Sequence, residues 1–309
     1  MAKTTSSLAR LDQAQDSMQT IDQADLPLDR PLGEVSPRNT LNDLSAREWI
    51  SESVSVWVQR GLGAGHPDAQ IERQHPAPFS FTDVARLIRL FTKRGMTVLD
   101  PFVGVGSTLK ACALDERNGI GFELNPIFVD LARERLQREL PAIAGPHCAQ
   151  TIEQGDARVL IGDLEPESVD FIVTSPPYWG ILNKKPDHKV KQDRLSQGLT
   201  KDYGKDERDF ANIQFYEQFI ESLADFFGRC TRVLRSGRYC AVIVGDFRHG
   251  GQYYMLHADL AQAMSKHGYV LKAVNVLYQR HKRVFPYGYP TAYVPNVHHQ
   301  HVLIMRKEP

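Results

Sequence analysis

The chain has 309 residues, and its 37 lysine and arginine residues balance 37 aspartate and glutamate residues, so the formal net charge is zero. This balance excludes binding to nucleic acid through overall basic charge, and any such site must be a local patch. A content of 42 % hydrophobic and 9 % aromatic residues is typical of a folded protein with one large or two small domains.

The first part of the chain is polar. Residues 1–40 are rich in Ser, Thr, Asp, Gln and Pro, which predicts a flexible N-terminal tail before a folded domain over 41–309. Ser45 and Glu48 have capping-box spacing and predict a helix that runs on through Trp57.

From there to the C-terminus, helical and strand patterns alternate. Helices are predicted over 82–93, 107–116, 126–139, 213–234 and 256–266, and strands over 97–100, 119–123, 151–154, 169–174, 239–244, 269–277 and 297–305. The alternation predicts an α/β fold with a mostly parallel sheet and helices on both faces. The last two strands are joined by a loop without a helix, so one of the seven strands should be antiparallel.

A glycine loop follows the first strand of this series. Gly104 and Gly106 let the backbone approach a ligand at a helix N-terminus. Leu109 stands where a dinucleotide motif wants its third glycine, and no lysine precedes Ser107 as in a P-loop. Glu123 ends the next strand, where its carboxylate can accept both hydroxyls of a ribose. A nucleoside cofactor without phosphates suits this site, and S-adenosylmethionine is the obvious one.

The segment Ser175-Pro176-Pro177-Tyr178 follows the most apolar strand. Prolines fix φ and lack an N–H, so the carbonyls before them are held rigidly as acceptors. Together with the Ser175 hydroxyl they suit a planar base that bears an amine, and Tyr178 would stack on that base. A base in a duplex must be flipped out to reach such a pocket.

These motifs resemble those of the amino-methylating DNA methyltransferases of the N4-cytosine and N6-adenine type, in the Ser-Pro-Pro-Tyr subtype. The resemblance covers roughly 41–309 and implies a seven-stranded methyltransferase fold. It implies that Ser175, Pro176, Pro177 and Tyr178 are catalytic. The implied S-adenosylmethionine-binding residues are His75, Pro78, Asp100, Phe102, Gly104, Gly106, Thr108, Glu123, Leu124, Asn125, Asp156 and Ala157.

The chain departs from many relatives in two respects. Its cofactor motif precedes its catalytic motif, whereas relatives with the Ser-Pro-Pro-Tyr and His75-type segments often have the reverse order. It also lacks the sizeable target-recognition domain of many relatives. In the family, Ser at position 175 usually accompanies cytosine, so we expect N4-cytosine methylation by direct transfer. N6-adenine methylation, RNA base methylation and a non-catalytic domain that binds cofactor and DNA remain the alternatives.

Candidate DNA contacts lie in two segments. The insertion 179–209 is predicted to contact DNA through Trp179, Lys184, Lys185, Lys189 and Lys191, although a solvated surface loop accounts for these lysines equally well. Arg283 lies in a basic and aromatic segment before the last strand and suggests a second contact surface. Double-stranded DNA is the expected partner, and the sequence leaves open a homodimer and a cognate restriction endonuclease.

Four cysteines, at positions 112, 148, 230 and 240, show no metal-site spacing. We expect no metal, and we interpret the run from His298 to His301 as structural, since alternate strand residues face opposite sides. No apolar run of about eighteen residues occurs, and we expect no membrane span or secretion signal. The prediction is a cytoplasmic, nucleoid-associated protein of prokaryotic or phage type.

Overall fold

The structure, a computed structural model, describes residues 33–59, 71–72, 74, 80–143, 148–180, 206–280 and 282–308, with the side chains of 141–143 left aside. Contacts within the chain group Val35–Pro309 into one compact unit. The domain bounds at residues 40 and 41 stay a prediction. His75, Pro78 and the lysines Lys184, Lys185, Lys189 and Lys191 lie outside the described residues.

The described part of the chain alternates helices and strands. The helices are α1 (Ala46–Glu52), α2 (Phe81–Phe91), α3 (Ser107–Leu114), α4 (Pro126–Ile143), α5 (Ala157–Leu160), α6 (Tyr216–Val233) and α7 (Leu256–Met264), with 3-10 turns at Phe210–Asn212 and Ser265–His267. The strands are β1 (Val56–Val58), β2 (Thr97–Asp100), β3 (Asn118–Glu123), β4 (Gln150–Gln154), β5 (Val169–Thr174), β6 (Leu234–Val244), β7 (Phe247–His249), β8 (Gln252–Tyr254), β9 (Tyr269–Tyr278) and β10 (His299–Lys307).

Eight of these strands form one sheet, in the order β1-β9-β10-β6-β5-β2-β3-β4. All neighbouring pairs are parallel except the two that involve β10, which runs antiparallel to both β6 and β9. The predicted α/β class and the single reversed strand are confirmed. Because all strands of this sheet except β10 run in the same direction, the carboxyl ends of β2, β3, β5, β6 and β9 lie at the same edge of the sheet.

The sheet has eight strands and not the predicted seven, because residues around Trp57 form a strand where a helix was predicted. Helix α1 ends at Glu52, and Val56–Val58 pairs in parallel with the end of β9, with Trp57 opposite Leu277. Valine favours the pleated strand over the helix because its branched Cβ is crowded in a helical turn. Trp57 is 3 % exposed and packs into the core beneath α2.

Helices cover both faces of the sheet. Phe219, Leu223 and Phe227 of α6 are fully buried in the larger of the two main core clusters, and Leu87 and Ile88 of α2 lie in the other. This arrangement explains the near-continuous apolar sequence of β5, which is buried along its whole length.

Two smaller features differ from the sequence prediction. Strand β6 begins directly after α6, at Leu234, and not at residue 239, and it holds Gly237 at φ 73°. The hairpin of β7 and β8 was not predicted, although Gly250-Gly251 between its strands is a recognised hairpin signal.

Three of the cysteines lie in the buried core. Cys112, Cys230 and Cys240 are buried, and burial raises the pKa of each thiol. In the ranges that the structure covers, no helix combines the length and the apolar character needed to cross a membrane.

Candidate active site

A cleft opens at the carboxyl edge of the sheet, where the strand order changes direction. From β2 the chain crosses to β3 on one side, while β5 lies on the other side. Ligands of open parallel sheets bind at such a switch point. The cleft encloses about 910 Å³ of space outside the protein atoms, with some open solvent included. It is lined by Pro101, Phe102, Glu123, Leu124, Asn125, Pro126, Gly155, Asp156, Ala157, Ser175, Pro177, Asp206, Arg208, Asp209 and Phe210.

The glycine loop forms the floor of this region. Gly106 precedes the first residue of α3 and has φ 83°, in the left-handed range that favours glycine. A Cβ atom on Gly106 would lie 3.2 Å from the Cβ of Ala132 in α4. The loop therefore needs glycine both for its backbone turn and for its close packing against α4.

Asp100 ties the floor of the cleft together and does not line it. Its Oδ1 accepts hydrogen bonds from the Thr174 hydroxyl at 2.6 Å and from the Phe102 amide at 3.1 Å, and its Oδ2 accepts from Thr108. The residue is fully buried, and burial raises the pKa of Asp100 to about 6. Asp100 thereby joins the ends of β2 and β5 to the start of α3.

Glu123, at the end of β3, faces the cleft with both carboxylate oxygens held. The amide of Gly104 donates to Oε2 at 3.0 Å, and the amide of Asn125 donates to Oε1 at 2.8 Å. Each carboxylate oxygen has a second lone pair that remains available to a ligand hydroxyl. Burial raises the pKa of Glu123 to about 7, so its charge changes near neutral pH.

Asp156 begins α5 on the opposite wall. Its Oδ1 accepts from the amide of Arg158 at 2.9 Å, and the Arg158 guanidinium reaches Oδ2 at 2.8 Å. Partial burial would raise the pKa of Asp156, but the hydrogen bonds from Arg158 outweigh it and leave that pKa below its usual value. The same guanidinium donates to the carbonyl of Arg208 and lies 5.0 Å above the ring of Phe210. Arg158 thus links the wall to the end of the insertion and to Phe210 after it.

The segment after β5 brings the predicted catalytic motif to this cleft. Ser175 and Pro177 line it, while Pro176 is buried behind them. Residues 52 positions apart in the chain, Glu123 and Ser175, therefore share one space. The parallel strand order causes this, because β3, β2 and β5 are consecutive neighbours.

Tyr178 and Trp179 are fixed by contacts on the far side of the motif. The Tyr178 hydroxyl accepts a hydrogen bond of 2.8 Å from the Gln300 amide, and burial raises the pKa of Tyr178. The indole N–H of Trp179 donates to the carbonyl of Ile213 at 2.9 Å. The Trp179 ring also packs in an aromatic cluster made by Tyr216, Phe247, His249 and Tyr254. Its predicted contact with DNA stays a prediction, and its one N–H donor is already used.

A carboxylate and two imidazoles lie beyond Tyr178. Nδ1 of His257 is 2.7 Å from Oδ1 of Asp246, and Nδ1 of His301 is 3.9 Å from the same oxygen. The potential metal-binding atoms of the three residues lie within 4.8 Å of one another. The two rings stack with centroids 3.8 Å apart and an angle of 23° between their planes. Burial lowers the pKa of His301 to about 4, which keeps this imidazole neutral at neutral pH.

Apart from Pro176, Tyr178 and Trp179, the predicted residues that the structure describes fall into three groups. Phe102, Glu123, Leu124, Asn125, Asp156 and Ala157 line the cleft with Ser175 and Pro177; Asp100, Gly104, Gly106 and Thr108 form the loop beneath it; Arg283 is exposed in the loop between β9 and β10. The sequence analysis missed the wall made by Asp206, Arg208, Asp209 and Phe210. One feature of the sequence could have indicated this wall. Asp209 is a helix-capping residue directly before an aromatic residue, at the end of the insertion.

Part of the chain is similar to known DNA methyltransferases. Residues 6–134 match the family model N6_N4_Mtase, described as DNA methylase. The Type II methyltransferase M.BglI of Bacillus subtilis is 36 % identical over 96 residues, which are 31 % of this chain and 26 % of that protein. The Type II methyltransferase M.MthZI of Methanothermobacter thermautotrophicus is 41 % identical over 93 residues, which are 30 % of this chain and 25 % of that protein. The chain thus matches about a quarter of the length of these relatives.

Solved structures resemble the chain more distantly. A candidate DNA modification methylase of Thermus thermophilus, solved with S-adenosyl-L-methionine, is 24 % identical with a TM-score of 0.34, over 50 % of this chain and 54 % of that one. A SAM-dependent O-methyltransferase from Thermotoga maritima is 12 % identical with a TM-score of 0.44, over 78 % of this chain and 70 % of that one.

Proposed function

We propose that this chain, of which residues 6–134 match the DNA methylase family model, is an S-adenosylmethionine-dependent DNA methyltransferase that acts on an exocyclic base amine. One observation carries the proposal: Ser175 and Pro177 of the catalytic motif line the same cleft as Glu123 and Asn125 of the cofactor motif. A methyl donor and a base amine could therefore meet without movement of either strand end.

The residues of the cleft fit the cofactor. Glu123 offers two carboxylate lone pairs for the ribose hydroxyls, and Asp156 offers a carboxylate to an adenine amine. Phe102, Leu124 and Ala157 provide apolar surface for the purine. The loop from Pro101 to Gly106 contains no lysine or arginine, which suits a nucleoside without phosphates. When bound, S-adenosylmethionine supplies a methyl group on a positively charged sulfonium.

The chain itself contributes positioning and oriented acceptors at the target nitrogen. The lone pair of the amine is delocalised into the base ring, so the amine is a poor nucleophile. The Ser175 hydroxyl and the carbonyls that precede Pro176 and Pro177 can accept from its two N–H bonds and favour tetrahedral nitrogen. Such preorganised acceptors and correct placement lower the barrier without a covalent enzyme intermediate.

The target amine pairs within duplex DNA, so the base must leave the helix to reach Ser175. We assign double-stranded DNA as the substrate and the N4 amine of cytosine as the target, since position 175 is serine. A restriction-modification role is part of the same proposal, supported by the Type II methyltransferase names of the relatives. N6-adenine is the second candidate target on the same scaffold.

Product analysis tests this function and separates its rivals. The full chain is incubated with radiolabelled S-adenosylmethionine and either duplex DNA, single-stranded DNA or RNA, and the nucleosides are then separated. Label in N4-methylcytosine from duplex DNA is the expected result. Label in N6-methyladenine would move the target to adenine, and label only in RNA would refute a DNA methyltransferase. Cofactor binding without transfer to any of these substrates would favour a non-catalytic domain.

A further inference from the structure

The loop between β9 and β10, residues 279–298, emerges beside the catalytic motif. Strand β9 is antiparallel to β10 and therefore runs in the direction of β5 and β6, so its carboxyl end lies at the edge of the cleft. Gln300, two residues past the loop, donates its hydrogen bond to Tyr178. We call residues 279–298 the tyrosine loop.

Internal hydrogen bonds give the tyrosine loop a defined shape. The side-chain amide of Asn296 accepts from the amide of Phe285 at 2.9 Å and donates to its carbonyl at 2.8 Å, which clasps the two arms together. The carbonyl of Gly288 accepts from the amides of Thr291 and Ala292 at 2.9 and 2.7 Å. Gly288 has φ 76°, and a Cβ there would overlap the carbonyl oxygen of Ala292. A side chain at Gly288 could not be accommodated in this turn.

This shaped loop presents aromatic rings and positive charge to solvent. Tyr289 is 82 % exposed and Tyr293 is 89 % exposed. Arg280, Lys282 and Arg283 are also exposed. Residues 279–298 contain no aspartate or glutamate, although the chain as a whole has a net charge of zero. Cations that can contact phosphates, combined with rings that can stack on bases, are the features of a nucleic-acid surface.

We propose that the tyrosine loop is the element that enters duplex DNA beside the everted base, with Tyr289 and Tyr293 stacking on neighbouring bases and Arg280, Lys282 and Arg283 contacting the flanking phosphates. This inference rests on the proposed function and deepens it by assigning contacts with DNA to one loop of this chain. One further contact supports the proposal. The hydrogen bond from Gln300 to Tyr178 holds the end of the tyrosine loop close to the catalytic motif.

Matched substitutions in the full chain test the aromatic contacts. Binding of a fluorescent random-sequence duplex is measured with S-adenosylhomocysteine present, for Tyr289→Ala, Tyr293→Ala and the corresponding Tyr→Phe variants. Loss of a stacked ring should weaken duplex binding roughly 5- to 150-fold, whereas phenylalanine keeps the ring and the affinity. Since neither tyrosine lines the cleft, all four variants should bind S-adenosylhomocysteine like the wild type, which also shows that they fold.

The salt dependence of the same binding tests the cations. Replacing Arg280, Lys282 and Arg283 by glutamine should reduce the slope of log affinity against log salt by about one for each phosphate that the loop no longer neutralises. Arg94 is a matched control, because it is exposed at the opposite edge of the sheet, before β2. Arg94→Gln should leave the slope unchanged.

The possible results distinguish failure of the loop assignment from failure of the proposed function. If the wild type transfers methyl to duplex DNA but the alanine and glutamine variants bind duplex like the wild type, the loop assignment is wrong and the function stands. If the wild type binds no duplex or methylates only RNA, both proposals fail. Weaker binding in the alanine variants, retained in the phenylalanine variants, supports the loop assignment.

Discussion

The side-chain amide of Gln300 donates a hydrogen bond of 2.8 Å to the hydroxyl of Tyr178, and so joins the start of β10 to the predicted catalytic motif. The hydrogen bonding continues outward, since Nε2 of Gln279 lies 3.4 Å from Oε1 of Gln300 and 3.0 Å from Oε1 of Gln59. The ring of Tyr178 is thereby oriented by residues that do not line the cofactor cleft.

We expect Gln300→Leu to reduce kcat for methyl transfer about fivefold while leaving the affinity for S-adenosylhomocysteine unchanged, because one hydrogen bond of about 1 kcal/mol is removed. Tyr178→Phe removes the other partner, so the double variant should be no slower than the slower single variant. Steady-state kinetics measure this cycle. Additive losses would show that Gln300 acts elsewhere.

Ser175→Ala should lower turnover on the order of a hundredfold, because it removes an acceptor at the reacting amine. Calorimetric affinity for S-adenosylhomocysteine should match that of the wild type, since the cofactor motif is untouched. Loss of cofactor binding in a folded Ser175→Ala protein would contradict the role given to this serine.

Gly106→Val should have the opposite effect, with an affinity for S-adenosylhomocysteine roughly tenfold weaker or worse. The residue has φ 83°, and the new Cβ would lie 3.2 Å from Ala132, so the loop must shift. Gly95→Val is the matched control: Gly95 has φ 79° but nothing within 4 Å of a new Cβ, and it lies outside the cleft. If both variants lost affinity equally, the loss would be due to general destabilisation of the fold and not to the loop at Gly106.

The affinity for S-adenosylhomocysteine should rise with pH and level off above about 7. Burial raises the pKa of Glu123 to about 7, so below this pH the carboxyl is protonated and one of its oxygens becomes a donor. Only the ionised form accepts from both ribose hydroxyls. Calorimetry across this range on the wild type and on Glu123→Gln measures the effect, and the variant should bind more weakly and without the pH step. A wild-type affinity that is flat across pH 7 would contradict this role.

Acid should destabilise the fold through His301. Burial, and then the proximity of His257, lower the pKa of His301 to about 4, against about 6.5 in the unfolded chain. The unfolded state therefore binds the proton first, and the stability contribution is lost as pH falls from about 6.5 to about 4. The facing groups are Asp246, His257 and His299.

Urea unfolding of the wild type and of His301→Phe, which keeps a flat ring against His257, measures this contribution. Because the pKa of Asp100 is raised, this residue makes the folded state more stable as pH falls, which is the opposite effect. The contribution of Asp100 is common to both proteins and cancels in the difference between their free energies of unfolding. The free energy of unfolding should fall more steeply with acid in the wild type. Parallel pH profiles would rule out His301 as the source.

The local units of this protein could be predicted from its amino-acid sequence. The turn at Gly106, the strand end at Glu123 and the prolines after Ser175 each follow from residues close together in the chain, because backbone conformation and helix capping are local properties. The same local patterns predicted the class of sheet and its one reversed strand.

How distant segments meet became apparent only in the folded chain. The strand at Val56–Val58 forms because it pairs with β9. Phe210 becomes part of the cleft wall because the chain returns to the cleft after the insertion. Tyr178 is oriented by the hydrogen bond from Gln300. These contacts join residues that share no local pattern, and their energies come from burial and pairing that arise only when the sheet is assembled.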